Sequence, residues 1–222
     1  MATPDRINAN PDIDRWNKKY DLSAADGSQT DSQIMPKGED ELVALRPYLE
    51  SDFSGISDLS ETTKIALEVA SGKGRNALYL ASIGYRVIAV DCALNGLVPG
   101  QSSAKRLDLP MNSIACDLET CQFPQHSFDL VSVIRFLKRP LFEVISAWVK
   151  PGGLLFYKTF NRDHLLSHPK FNSGYVVETG ELNTAFPDFE IRATDYCSGG
   201  TAPLISGTSF ILGRKKLTVK SR

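Results

Sequence analysis

Short apolar runs alternate with stretches of helical character through the middle of the chain, and this alternation is its dominant pattern. Residues 64–69 (KIALEV) and 85–90 (YRVIAV) predict two strands, the second rich in β-branched residues. Residues 113–116, 128–134 (FDLVSVI) and 154–159 predict three more. Helix formers fill residues 76–83, which Gly84 closes, and residues 141–149, followed by a Pro151-Gly152-Gly153 turn. Strands that alternate with helices build a parallel sheet, and strands apolar along their whole length are buried on both faces. After Asn161 the pattern changes. Residues 189–196 and 208–212 predict two strands joined by the Gly-rich segment 198–207, a long antiparallel hairpin at the sheet edge. The expected fold is α/β: seven strands, mostly parallel, with helices on both faces and an antiparallel C-terminal edge hairpin.

Upstream of the sheet the periodicity is helical. Residues 13–22 (IDRWNKKYDL) put Trp16 and Tyr20 on one helical face, and residues 39–49 form a helix whose apolar side is Leu42, Leu45 and Leu49. Residues 24–31 and 51–61 are small and polar and predict loops. No internal repeat is present. The expectation is one domain over 1–222, with a helical extension over 1–60, a core over 64–213 and a basic tail over 214–222. The 222 residues carry 25 basic and 26 acidic side chains, a net charge of −1, so no electrostatic grip on nucleic acid or an acidic membrane is expected. No apolar run is long enough to cross a bilayer, and residues 1–14 lack an apolar signal core. The four cysteines, Cys92, Cys116, Cys121 and Cys197, show no CxxC spacing and have no histidine at ligand spacing. No metal site is expected, and free thiols fit a reducing, cytoplasmic location.

The candidate chemistry lies in residues 68–77 (EVASGKGRNA), which follow a predicted strand and open a predicted helix. Gly72 and Gly74 allow a sharp turn and a close ligand approach, and the first amides of the helix face the ligand. Asp91 stands 17 residues after Gly74, at the end of the next strand, where a carboxylate accepts from both ribose hydroxyls. The loop therefore reads as a cradle for an adenosine-type cofactor. Gly72 to Ala77 also satisfies the G-x-G-x-x-G/A spacing of dinucleotide sites, which keeps NAD(P) and a nicotinamide oxidoreductase open. Glu68 argues otherwise, because a carboxylate at the strand end repels a pyrophosphate and attracts a sulfonium or an ammonium. Asp117, ending the third strand, can flank an adenine, and the long edge hairpin points the same way.

The run ALEVASGKGRNALYLASIGYRVIAVD resembles the first two motifs of class I S-adenosylmethionine-dependent methyltransferases. IACDLE, FDLVSV and KPGGLLFYKTF are similar to that family's adenine-flanking motif, fourth strand and fifth strand. Within the family the tellurite-resistance (TehB-like) branch and its small-molecule thiol methyltransferases look most similar, on GRNALYLA, RFLKRPLF and the segment 168–191, with WNKKY resembling the lid helix. The resemblance implies a Rossmann-like fold, S-adenosyl-L-methionine as cofactor and a small-molecule acceptor. By the same likeness the cofactor is held by Glu68, Ala70, Ser71, Gly72, Gly74, Arg75, Asn76, Asp91, Cys92, Asp117, Leu118, Ile134, Arg135 and Trp16. Ala70 stands where the family has its first glycine, and residues 95–105 are Gly- and Ser-rich where it has a firm helix. The Asn/Asp-Pro-Pro-aromatic motif of amino-group methyltransferases is absent; the fourth strand ends in Ile134-Arg135-Phe136. Arg135 is the candidate for positioning an anionic acceptor. Lys138 and Arg139 read as solvated, His126, His164 and His168 as surface residues, and a non-catalytic cofactor-binding module is a further alternative.

Overall fold

The computed structural model describes residues 11–25, 37–50, 64–195 and 207–217. Of the basic tail expected over 214–222, residues 218–222 lie outside these residues, as do the loop 51–61 and most of the hairpin loop 198–207. The chain divides into two compact units, Met1–Gln122 and Phe123–Arg222. The described residues include seven strands, three in the first unit and four in the second.

In the first unit β1 (Ile65–Val69) pairs in parallel with β2 (Arg86–Asp91), Ile65 opposite Arg86 through Val69 opposite Val90. β3 (Met111–Ala115) extends this, Val87 opposite Met111 through Asp91 opposite Ala115. Ala66, Leu67, Val69, Val87, Ala89 and Val90 are all buried, as strands covered on both faces require. α1 (Pro11–Ala25) turns Ile13, Trp16, Asn17 and Tyr20 inward, the i, i+3, i+4, i+7 stripe of an amphipathic helix. The helix expected over 39–49 is two, α2 (Asp40–Ala44) and α3 (Arg46–Glu50). Pro47 cannot donate to the preceding turn, so the helix breaks at Leu45. Leu42, Leu45 and Leu49 still form the buried side. α4 (Arg75–Ser82) follows β1, and α5 (Leu94–Arg106) follows β2.

In the second unit β4 (Phe128–Ile134) pairs in parallel with β5 (Val149–Phe160). β5 is antiparallel to β7 (Thr208–Lys215), which is antiparallel to β6 (Phe189–Thr194). The edge hairpin thus places its second strand inside. Pro151-Gly152-Gly153 is a bulge within β5 rather than a turn before it. Val149 opposes Phe128 and Leu154 opposes Leu130, so the four residues between them are looped out. A Cβ at Gly153 would stand 2.9 Å from the Asp129 carbonyl oxygen, so the bulge needs a glycine there. α6 (Phe142–Trp148) packs on β4 and β5. Tyr157 is fully buried among Phe142 and Phe186, at ring separations of 5.6 and 5.7 Å, and its hydroxyl donates to the Phe136 carbonyl at 3.0 Å. α7 (His164–Ser167) and α8 (Glu181–Ala185) complete the unit.

Candidate functional site

The strand-to-helix loop of the first unit runs through three left-handed residues: Ala70 (φ 53°), Gly72 (φ 55°) and Gly74 (φ 78°). Alanine replaces the family's first glycine at a position that needs positive φ, a strain of about 1–2 kcal/mol that neighbouring bonds must hold. They do so directly. The Ser71 amide donates to the Val90 carbonyl at 2.9 Å, and the Gly74 amide to the Ser71 carbonyl at 3.0 Å. The Gly72 amide donates to Asp91 Oδ2 at 2.8 Å. Asp91 Oδ1 accepts from the Ala93 amide at 2.9 Å, and the Cys92 thiol also donates to this carboxylate. One buried carboxylate at the end of β2 therefore locks the loop after β1 and the entry to α5. Burial raises the Asp91 pKa above its ordinary value, and the Ala93, Gly72 and Cys92 donors oppose the rise.

Glu68 is 2% exposed at the end of β1. The Ser71 hydroxyl is buried and bonds to none of the described residues, a polar group that a ligand can satisfy. Asp117 caps its own turn: Oδ1 accepts from the Glu119 amide at 3.0 Å, and its carbonyl accepts from Thr120 and Cys121. Leu118 beside it is buried.

The rest of the site is shaped by close approaches. A Cβ at Gly72 would meet the Tyr20 hydroxyl at 2.6 Å, and one at Gly96 would meet the Tyr20 ring at 2.7 Å. α1 thus lays Tyr20 over the glycine loop and the start of α5. Asn17 Oδ1 accepts from the Asn95 amide at 3.1 Å, and Asp21 accepts from the Asn95 side chain at 2.8 Å. The Tyr20 hydroxyl is pushed up to about 12, first by burial and then by the charges of Asp91 and Cys92. Trp16 lies 6.2 Å from the Tyr20 ring, with the Lys19 ammonium 4.4 Å from its centroid. Gly100 lies against the loop itself, where a Cβ would stand 2.8 Å from the Lys73 carbonyl oxygen and 3.1 Å from Gly74 Cα. Residues 95–105 are therefore helical despite their composition, because two of their glycines admit a ring and a backbone. The spacing Gly96-x-x-x-Gly100 was the signal in the sequence.

Arg75 and Asn76 direct their side chains away from the loop. Arg75 pairs with the buried carboxylate of Glu39, and Asn76 Oδ1 accepts from the Glu39 amide at 2.8 Å. They tether α2, a role with no local signature in the sequence.

Ile134 and Arg135 stand at the carboxyl end of β4, in the second unit. Arg135 has φ 56°, and its amide donates to the Lys158 carbonyl at 2.8 Å. Arg139, expected to be solvated, clamps Glu181 at 2.6 Å and the Val176 carbonyl at 3.0 Å. His164 and His168 stack 4.2 Å apart; burial and then the His168 charge lower the His164 pKa. Among the described residues no group of three or more His, Cys, Asp or Glu side chains could hold a metal ion. None of the described helices is long and apolar enough to cross a membrane.

Residues 66–153 match the family model described as a methyltransferase domain. No curated protein matches the sequence significantly. Solved structures share the fold at low identity. One, described by "Conversion of a Disulfide Bond into a Thioacetal Group during Echinomycin Biosynthesis", is 14% identical with a TM-score of 0.66, over 94% of this chain and 93% of that one. TehB from Haemophilus influenzae is 15% identical with a TM-score of 0.59, over 89% and 67%. An S-adenosylmethionine-dependent methyltransferase from Mesorhizobium loti is 15% identical with a TM-score of 0.54, over 78% and 98%. These matches show a shared Rossmann-like fold and, over residues 66–153, a likeness to a methyltransferase domain. The loop has the features a cationic adenosine derivative such as S-adenosyl-L-methionine would require: left-handed glycines that allow close approach, a strand-end carboxylate at Asp91 that could accept from a ribose, and a buried acid at Glu68 that would attract a sulfonium or an ammonium.

Proposed function

We propose that this chain uses S-adenosyl-L-methionine to methylate a small-molecule acceptor of thiol, selenol or oxyanion type by direct displacement. The observation that carries the reading is the pair of buried carboxylates, Glu68 and Asp91, at the two strand ends that flank the glycine loop. Glu68 repels a pyrophosphate and attracts a cationic adenosine derivative, while Asp91 serves the ribose of either. A nicotinamide oxidoreductase would need a proton donor near the fourth or fifth strand, and Tyr157, the tyrosine of the fifth strand, has its hydroxyl buried and committed to the Phe136 carbonyl.

When bound, the cofactor supplies a methyl group already activated on a sulfonium. The chain's task is then to bind and orient, which is worth roughly 7–11 kcal/mol in favourable cases. Asp91 accepts from the ribose hydroxyls, Glu68 faces the cationic end, and Asp117 and Leu118 flank the adenine. Gly72, Gly74 and the helix amides line the approach, Cys92 fills space beside the ribose, and Trp16 and Tyr20 exclude water from above. Arg135 positions an anionic acceptor. An acceptor that arrives deprotonated requires no general base. The sulfur chemistry named for the echinomycin protein and the fold shared with TehB support this acceptor class.

Isothermal titration tests the cofactor: S-adenosylmethionine and its demethylated product, S-adenosylhomocysteine, are expected to bind and NAD is not. Tight NAD binding without S-adenosylhomocysteine binding overturns the reading. Product formation across thiols, selenols and oxyanions tests the acceptor, and binding with no turnover of any of them overturns that half.

A further inference from the structure

Three of the cysteines, Cys92, Cys116 and Cys121, are described, and all three are free thiols of intermediate exposure. Cys92 donates its thiol to Asp91 and is committed there. Cys116 leaves β3 with its amide donated to the Asp91 carbonyl at 3.0 Å. The chain then reverses around Asp117, whose carbonyl accepts from Thr120 at 3.0 Å and from Cys121 at 2.8 Å. That reversal brings Cys121 back toward Cys116, whose pKa is raised first by burial and then by the neighbouring Cys121 thiol. Nothing in the methyl transfer proposed above uses this pair.

We propose that Cys116 and Cys121 form a dithiol modification site that takes low-molecular-weight disulfides and closes into an intramolecular disulfide across the turn carrying Asp117 and Leu118. Cys121 attacks one sulfur of the incoming disulfide as the thiolate and expels the first thiolate. Cys116 then loses its proton, attacks Cys121 in the mixed disulfide and expels the second. The two cysteines together lose two protons and two electrons, and the incoming disulfide is reduced to two thiols. Burial, followed by the Cys121 thiol, raises the Cys116 pKa, so the second step governs the rate and accelerates as pH rises. Burial and the neighbouring Asp91 and Asp117 charges push Cys92 up to about 11, which keeps it protonated on Asp91.

The consequence for the cofactor rests on the reading of Asp117 and Leu118 as its adenine flank. Drawing the two sulfurs into a bond moves both ends of that turn, so the oxidised chain binds S-adenosylhomocysteine several-fold more weakly. The test uses the full chain, equilibrated with oxidised or reduced glutathione and digested with trypsin without reduction. Cys116 and Cys121 share the tryptic peptide 107–135, whereas Cys92 lies in 87–105 and Cys197 in 193–214. The expected result is a loss of two hydrogen atoms within peptide 107–135, reversed by dithiothreitol. Cys116→Ser should instead accumulate glutathione on Cys121, and Cys92→Ser should leave the closure intact. Linkage between peptides 87–105 and 107–135, or stable glutathione adducts without closure, overturns the site. Closure with unchanged S-adenosylhomocysteine affinity overturns the coupling alone. A reduced chain that binds no S-adenosylhomocysteine overturns the proposed function while leaving the dithiol result standing.

Discussion

Two glycines four residues apart in α5 give the site its sharpest test. A Cβ at Gly100 would stand 2.8 Å from the Lys73 carbonyl oxygen and 3.1 Å from Gly74 Cα, both backbone atoms of the cofactor loop. A Cβ at Gly96 would stand 2.7 Å from the Tyr20 ring, a side chain that can swing. Each substitution to alanine gains about 0.8–1.0 kcal/mol of helix propensity. Overpacking against fixed atoms costs about 1–3 kcal/mol. Gly100→Ala is therefore expected to lose a net stability of about 1 kcal/mol, a melting-temperature drop of about 2–4 °C for a chain of this size. It should also weaken S-adenosylhomocysteine binding roughly fivefold, because the loop amides move with Lys73 and Gly74. Gly96→Ala should be near neutral in stability, its propensity gain offset by displacement of Tyr20. Urea unfolding and isothermal titration of the two variants read both quantities. If Gly100→Ala is as stable as wild type and binds as tightly, the argument that α5 braces the loop through Gly100 fails.

Asp91→Ala should weaken S-adenosylhomocysteine binding by about 1–3 kcal/mol, roughly 5–150-fold by titration, since ribose hydroxyls and the Gly72 and Ala93 amides all lose their acceptor. Because burial raises Asp91 above its unfolded value, acidification protonates it in the native state first. The native fold gains slightly there as pH falls, while binding weakens at a higher pH than an exposed aspartate would set; affinity flat down to the ordinary aspartate range would contradict this. Ala70→Gly should raise stability by about 0.5–1 kcal/mol, since relief of about 1–2 kcal/mol of left-handed strain exceeds glycine's entropic cost; a lower melting temperature would deny the strain. Arg75→Ala should cost about 1–3 kcal/mol of stability, because it takes the guanidinium from the buried Glu39 carboxylate, and should leave S-adenosylhomocysteine affinity within about twofold. A tenfold loss would put that guanidinium on the cofactor.

What the sequence disclosed and what it hid divide along physical lines. β4 was legible to the residue because FDLVSVI is mostly apolar and bounded by the polar Ser127 and Arg135. Gly72 and Asp91 were legible because backbone geometry alone dictates a turn after one strand and an acid at the end of the next. The helix α5 was not legible. Glycine, serine and an internal Pro99 give it a poor propensity, and only the tertiary partners Tyr20, Lys73 and Gly74 explain the composition. The Pro-Gly-Gly bulge in β5 carried the local signature of a turn, and the pairing of Val149 and Leu154 with β4 distinguishes the two. Arg75 and Asn76 looked like loop ligands because their partner, Glu39, lies more than thirty residues upstream.

The glycines of the loop answer to the protein as much as to a ligand. A residue with a side chain at Gly72 would collide first with the Tyr20 hydroxyl, and one at Gly100 would push the loop from behind. Loss of binding in a Gly72 variant therefore has two causes, a blocked cofactor and a displaced α1, and the loop substitution alone does not separate them. Asp91 shares that ambiguity without the steric collision. Its carboxylate touches the loop through Gly72 and α5 through Ala93, yet its removal leaves both backbones their space. The acid at the end of β2, more than the glycines that first draw the eye, is the position at which the proposed cofactor recognition meets the loop architecture in a single group.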